Sequence, residues 1–154
     1  MLETLVGAII GAIIGGLTTY FNEERKRKKE YKQIENHAAS ILYYDLKSIE
    51  QYIVNEANMV NLRYSDEWQT MVANCTFLSD TDVMYLYKIY DEAYNYNESF
   101  TQKVAYKRKF KKEKITSYKK LQDMLFCDGS KKIHNMEYEK ILSNLEKIKS
   151  KGCI

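Results

Sequence analysis

The run Thr4 to Asn22, TLVGAIIGAIIGGLTTYFN, holds nineteen residues without a charge. At 1.5 Å per residue a helix of that length spans about 28 Å, close to the roughly 30 Å hydrocarbon core of a bilayer. It reads as a membrane anchor. The basic block Arg25, Lys26, Arg27, Lys28 and Lys29 follows at once, whereas Glu3 is the charged side chain that precedes the run. Because cationic flanks stay on the cytoplasmic side, this asymmetry predicts a single-pass signal-anchor in the cell membrane. Its N-terminus lies outside and everything after Asn22 is cytoplasmic. A cleaved signal peptide calls for the opposite order, with positive charge before the apolar run, and Leu17-Thr18-Thr19-Tyr20 is a poor cleavage site. Tyr20 and Phe21 stand where amphipathic rings prefer to sit, at the cytoplasmic interface.

The anchor has a pattern of its own. Gly7, Gly11 and Gly15 recur every fourth residue and share one helix face, flanked by Ala8, Ala12 and Gly16. A groove of small residues, a glycine zipper, lets a second helix approach closely, so it predicts self-association through the anchor. An ordinary Gly- and Ala-rich anchor has the same composition. The basic block beyond it is a membrane-surface segment, either lipid-binding or merely the charge that fixes orientation.

The remaining chain has no proline, and beyond the anchor only Gly129 and Gly152 break its helix-forming composition. Long helices joined by short polar turns are the consequence. The expected architecture is all-α: an N-terminal transmembrane helix continuing into a cytoplasmic bundle of about four to five helices. Its segments are an anchor over 1–22, a basic juxtamembrane stretch over 23–32 and a helical domain over 33–154. A first helix leaves the membrane and reaches about Asn58, with a stripe through Tyr31, Ile34, Ala38, Ile41, Leu42, Ile49, Tyr52 and Ile53 broken by Asp45. If the anchors pair, that stripe forms a parallel coiled coil; otherwise it is one helix of the bundle. Ser65 opens a short helix with Trp68, Met71, Val72 and Cys75 on its apolar face. Ser79 and Asp82 form a capping box for the next helix, which runs to about Asn97. A strongly basic helix covers Ser99 to Phe126, with a thin apolar line through Tyr106, Phe110, Ser117, Leu121 and Met124. After a turn at Gly129, Ser130 caps a last helix with Ile133, Met136, Ile141, Leu145 and Ile148 inward.

Charge is distributed by segment. Residues 103–120 carry nine Lys/Arg against Glu113, while residues 80–98 carry five acids against Lys88. Such polarisation points to local surface contacts. Two surfaces stand out. Tyr85, Tyr87, Tyr94 and Tyr96 are more tyrosine than one core needs, and a Tyr-rich face suits a protein partner, although a compositional bias toward Tyr, Asn and Lys gives the same surplus. Lys103, Lys107, Arg108, Lys109, Lys111 and Lys112, interleaved with Tyr106 and Phe110, suit phosphates and stacked bases, an anionic lipid surface, or the chain's own acidic helix.

Catalytic signals are missing from the sequence. His37 and His134 have no zinc-site spacing, no glycine-rich loop follows a strand, and no Ser or Cys stands in a nucleophile motif. The three cysteines, Cys75, Cys127 and Cys153, share no C-x-x-C spacing and fit a reducing compartment. The reading is a protein without enzymatic activity, cofactor or metal.

In layout the chain resembles small, N-terminally membrane-anchored helical proteins of Gram-positive bacteria and their prophages. The likeness rests on the anchor with its Arg25–Lys29 block, on Ile41-Leu42-Tyr43-Tyr44-Asp45-Leu46-Lys47 and on Leu86-Tyr87-Lys88-Ile89-Tyr90-Asp91. It implies a protein that contacts another membrane component, as phage-exclusion and bacteriocin-immunity proteins do, and it transfers no site residues. The expected function is therefore binding of a membrane or cytoplasmic protein at the inner face of the membrane. The alternatives are a membrane-tethered nucleic-acid binder using residues 103–120 and a small membrane-active toxin.

Overall fold

Nothing in the first fifty residues interrupts a helix: there is no proline, and the last glycine is Gly16. In the computed structural model a single helix, α1, accordingly runs unbroken over Leu2–Val54. It is followed by α2 (Trp68–Asn74), α3 (Asp80–Thr101), α4 (Lys107–Leu125) and α5 (Met136–Ser150). The described residues are 2–55, 61–101, 107–127, 129 and 131–150, of which 2–13, 99–101, 107–115 and 150 are described in backbone only. Among them there is no strand, and one isolated antiparallel bridge joins Phe126 and His134. The all-α bundle expected from the composition is the fold.

The chain forms two units, Met1–Ile34 and Glu35–Ile154. In the first, the side chains from Ile14 to Ile34 are exposed, apart from a half-buried Glu24 that bonds both Arg27 and Lys28. The Thr18 and Thr19 hydroxyls donate back to the carbonyls of Ile14 (2.8 Å) and Gly15 (3.0 Å), so neither needs a partner outside the helix. No helix among the described residues is long and apolar enough to cross a membrane. Ten of the nineteen uncharged residues, 4–13, are described in backbone only. The described structure therefore supports the helical bundle but not the transmembrane helix and signal-anchor, which rest on sequence.

The second unit is built around the C-terminal part of α1. Ala38, Ala39, Leu42, Leu46, Ile49 and Ile53 are completely buried, repeating at three and four residues as a core-facing stripe must. Tyr31 and Ile34, expected in the same stripe, are exposed and belong to the first unit. Helix α3 runs beside α1 in the same direction, with Tyr90 meeting Asp45 and Tyr96 meeting Tyr52. Helix α4 returns antiparallel to α3: the Tyr85 hydroxyl donates to the Met124 carbonyl (2.6 Å) and Lys120 pairs with Glu92 (2.7 Å). Leu121 and Leu125 of α4 and Tyr138, Ile141, Leu142 and Leu145 of α5 complete the core.

Two elements start later than their sequence signals indicate. Ser65 accepts a hydrogen bond from the Glu67 amide (3.3 Å) within a turn, and α2 begins at Trp68. The last helix begins at Met136, with the Asn135 side chain accepting from the Glu137 amide (3.1 Å). Residues before it are held in the Phe126–His134 bridge, with Gly129 at φ 62° and Lys131 at φ 54°. Ile133 (65% exposed) and Met136 (83%), expected inward, therefore face outward, and Tyr138 and Leu142 take the core positions. Ser130, the expected cap, lies outside the described residues.

Candidate functional site

Helix α3 is the element on which the candidate surface is built. Its start follows the sequence signal: Ser79 Oγ accepts from the Asp82 amide (3.3 Å) and the Asp82 carboxylate accepts from the Ser79 amide (3.2 Å), a reciprocal capping box. Burial disfavours the charged form of Asp82, but hydrogen bonds from Lys140 (2.8 Å) and Ser79 outweigh it and hold the carboxyl below its ordinary value.

Seen end-on, α3 has two unlike faces. Leu86, Ile89, Tyr90, Ala93 and Tyr96 are fully buried. Tyr96 shares a hydroxyl hydrogen bond with Tyr52, and Tyr85 is half-buried, tied to α4 through the Met124 carbonyl. The opposite face carries Met84 (61% exposed), Tyr87 (38%), Asp91, Tyr94 (57%) and Glu98, at intervals of three and four residues. The four tyrosines expected to make one partner-binding face are thus divided: Tyr85 and Tyr96 serve the packing, and Tyr87 and Tyr94 are outside. The division follows from their spacing, since 85 and 96 differ by three turns of helix while 87 and 94 lie roughly half a turn away.

The segment 61–68 widens this outer face. Asn97 holds it down with a two-bond clamp on Leu62, donating to the carbonyl (3.0 Å) and accepting from the amide (2.8 Å). Asp45 of α1 accepts from the Ser65 amide (2.8 Å) and the Tyr90 hydroxyl (3.3 Å). This explains the polar break in the α1 stripe: Asp45 anchors a loop. Burial raises its carboxyl above the ordinary value, partly offset by those two bonds. Trp68 then stacks on Tyr90 at 4.4 Å between ring centres and meets Tyr87 edge-on at 4.8 Å. Tyr64 packs edge-on against Tyr90 at 5.6 Å. Its phenol is raised chiefly by burial, with Asp66, Tyr94 and Glu98 adding to the effect against a hydrogen bond to Asn97. Tyr64 and the loop carboxylates have no periodicity to mark them, so sequence reading passes over them.

The chain matches no family model, no curated protein and no solved structure.

The other expected site residues fall as follows. Arg25, Lys26, Arg27, Lys28 and Lys29 are exposed, with Arg27 and Lys28 engaged by Glu24. Nothing lies within 4 Å of a Cβ built at Gly15 or Gly16. For Gly7, Ala8, Gly11 and Ala12 only the helical backbone is described. The same holds for Lys107, Arg108, Lys109, Lys111 and Lys112 on α4, and Lys103 lies outside the described residues.

A second polar cluster ties the α4–α5 connection to α1. Glu50 receives Lys47 (2.8 and 2.9 Å), the Tyr138 hydroxyl (3.1 Å) and His134 Nε2 (3.2 Å). Burial opposes its charge, yet these donors hold the carboxyl below its ordinary value. With every oxygen engaged in packing contacts, Glu50 serves as a structural tie. Cys75 is buried and its thiol is pushed up to about 12, so it is an unreactive core side chain. Among the described residues no three His, Cys, Asp or Glu side chains gather as metal ligands.

Proposed function

We propose that this is a non-enzymatic, membrane-anchored protein whose Glu35–Ile154 unit binds a protein partner at the inner face of the membrane through the outer face of α3. The observation that carries the reading is the row Met84, Tyr87, Tyr94, exposed on a helix whose other side is fully packed. Tyrosine offers large, rigid contact area that tolerates water while unbound, which is why it is enriched at interfaces.

Thr4–Asn22 is the anchor. Ile14, Leu17, Tyr20 and Phe21 are each more than half exposed among the described residues. At about 25 cal/mol per Å² of apolar surface, an apolar phase outside the chain is the natural cover. The Arg25–Lys29 block orients the anchor with the bundle in the cytoplasm. The open space at Gly15 and Gly16 leaves room for a second helix, so the anchors self-associate.

Two measurements test the reading. Ser48, exposed on α1, is replaced by cysteine and probed with a membrane-impermeant maleimide in intact and lysed cells, alongside alkaline extraction of the membranes. Retention in the membrane with labelling only after lysis is expected; labelling in intact cells or alkaline solubility sinks the anchor. A photo-crosslinking amino acid at position 94 is expected to capture a discrete partner in cells, and one at exposed Lys119 on α4 is not. If neither position captures a protein, and the purified chain instead retains nucleic acid at low salt, the basic segment 103–120 is the working surface.

A further inference from the structure

We infer that the outer face of α3 takes a Lys/Arg-rich helical segment of its partner protein, an inference that rests on reading this face as a docking surface. The carboxylates of α3 are sorted by face. Asp82 and Glu92, toward the neighbouring helices, are taken by Lys140 and Lys120. Asp91 stands in the exposed row between Tyr87 and Tyr94, and Asp66 and Glu67 are exposed on the loop immediately before Trp68, whose ring meets Tyr87 of the row. None of these three is in an ion pair among the described residues, and all are exposed. Lys88 lies to the α4 side of the row by helical register, and Arg63 is the cation on the loop side.

Acids and tyrosines alternate along this face, as Tyr87, Asp91, Tyr94 and Glu98 on α3, and the adjoining loop adds Tyr64, packed against Tyr90, and the exposed Asp66. A tyrosine ring attracts a cation to its face, and a carboxylate nearby strengthens the hold. Phosphate-bearing partners, lipid or nucleic acid, meet the wrong sign of charge here. From Met84 to Glu98 the row spans fifteen residues, about 21 Å of helix. That length and spacing fit a partner helix laid along it, with cations at intervals of three and four.

Trp68 is the sole tryptophan of the chain and touches Tyr87, so its emission reports occupancy of the face. Full-length protein in nanodiscs of uncharged phosphatidylcholine is titrated with a peptide of Arg-Ala-Ala-Leu repeats and with its Glu-for-Arg counterpart. Both are dye-labelled so that anisotropy gives an independent reading. The Arg peptide is expected to bind saturably, shift the Trp68 emission and weaken several-fold between about 50 and about 200 mM salt. The Glu peptide is expected not to bind. Combining Asp66→Asn, Glu67→Gln and Asp91→Asn should weaken binding at least tenfold, and Tyr94→Ala about two- to fivefold, the range of an exposed cation–π contact. Absence of saturable binding by the Arg peptide, equal binding of the Glu peptide, or indifference to the triple substitution overturns the inference. Crosslinking at position 94 decides separately: a partner captured there together with a silent Arg peptide leaves the docking surface standing and removes its basic chemistry.

Discussion

Tyr94 and Tyr96 are two residues apart on the same helix and share a side chain, yet they live in different phases. Tyr96 is completely buried, bonded through its hydroxyl to Tyr52 and packed edge-on against that ring at 5.6 Å. Tyr94 has more than half of its surface in water. A step of two residues turns an α-helix by about 200°, so register alone separates a core residue from an interface residue. The tyrosine surplus of α3 is two populations, one spent on packing and one on the surface. The sharpest way to break this comparison is truncation of the inner member. Tyr96→Ala should cost about 3–5 kcal/mol of stability, because it opens a cavity and strands the Tyr52 hydroxyl. Urea denaturation of the full chain in neutral detergent, followed by helical circular dichroism, measures it; a loss under about 1 kcal/mol would place Tyr96 outside the core.

The same contrast holds among carboxylates. Asp45 is enclosed and binds a backbone amide and a hydroxyl, whereas Asp91 is open. Asp45→Ala leaves the Ser65 amide and the Tyr90 hydroxyl without their acceptor, and should cost about 2 kcal/mol. It should also release the 61–65 segment, seen as faster proteolysis at Arg63. Asp91→Ala, measured alongside, should change stability by less than about 0.5 kcal/mol.

Acid should expose a division inside the buried set. Glu50 and Asp82 lie below their ordinary values, so the stability they contribute is complete above about pH 5 and is lost as pH falls through those lowered values. Asp45, raised by burial, acts in the opposite sense: it protonates more readily in the fold than in the unfolded chain, so acidification favours the fold at this one site. Thermal melts from pH 7 to pH 3 should show a falling midpoint. The fall should be shallower in Asp82→Asn and steeper in Asp45→Asn, which removes the compensating group. A steeper fall in Asp82→Asn would reverse the assigned signs.

How far the sequence discloses this molecule depends on whether a feature is periodic. The Ala38–Ile53 stripe, the Ser79–Asp82 capping box and the inward line Ser117, Leu121 on α4 are repeats or local signatures, and each stands as read. The start of α5 departs from its Ser130 signal because the bridge between Phe126 and His134 holds residues that local propensity assigns to a helix. Ile133 and Met136, inward by the register of that longer helix, consequently face outward. For the candidate surface, the outward tyrosines follow from helical spacing once the buried side of α3 is known, and composition alone cannot sort them. Tyr64, Asp66 and Glu67 reach the surface through a loop that Asp45 and Asn97 fix from other elements. Contacts 20 and 35 residues apart in sequence leave no local trace.

The smallest expected change in stability carries the comparison furthest. Tyr94→Ala removes a ring that is mostly in water and sits on no buried neighbour's hydrogen bond, so unfolding should shift by less than about 0.5 kcal/mol. If Tyr94 is there for a partner, the same substitution should abolish what a crosslinker introduced at Met84, three row positions away, captures in cells. Tyr96→Phe is the matched control: it keeps the buried ring, loses the hydroxyl that bonds Tyr52, and should lower stability by about 1 kcal/mol while leaving capture at Met84 intact. Opposite rank orders in the two assays, Tyr96 ahead in stability and Tyr94 ahead in capture, are the signature of one helix serving two purposes. A Tyr94→Ala protein that unfolds more easily and still captures its partner would assign Tyr94 to packing, and the outer face of α3 would lose its claim to function.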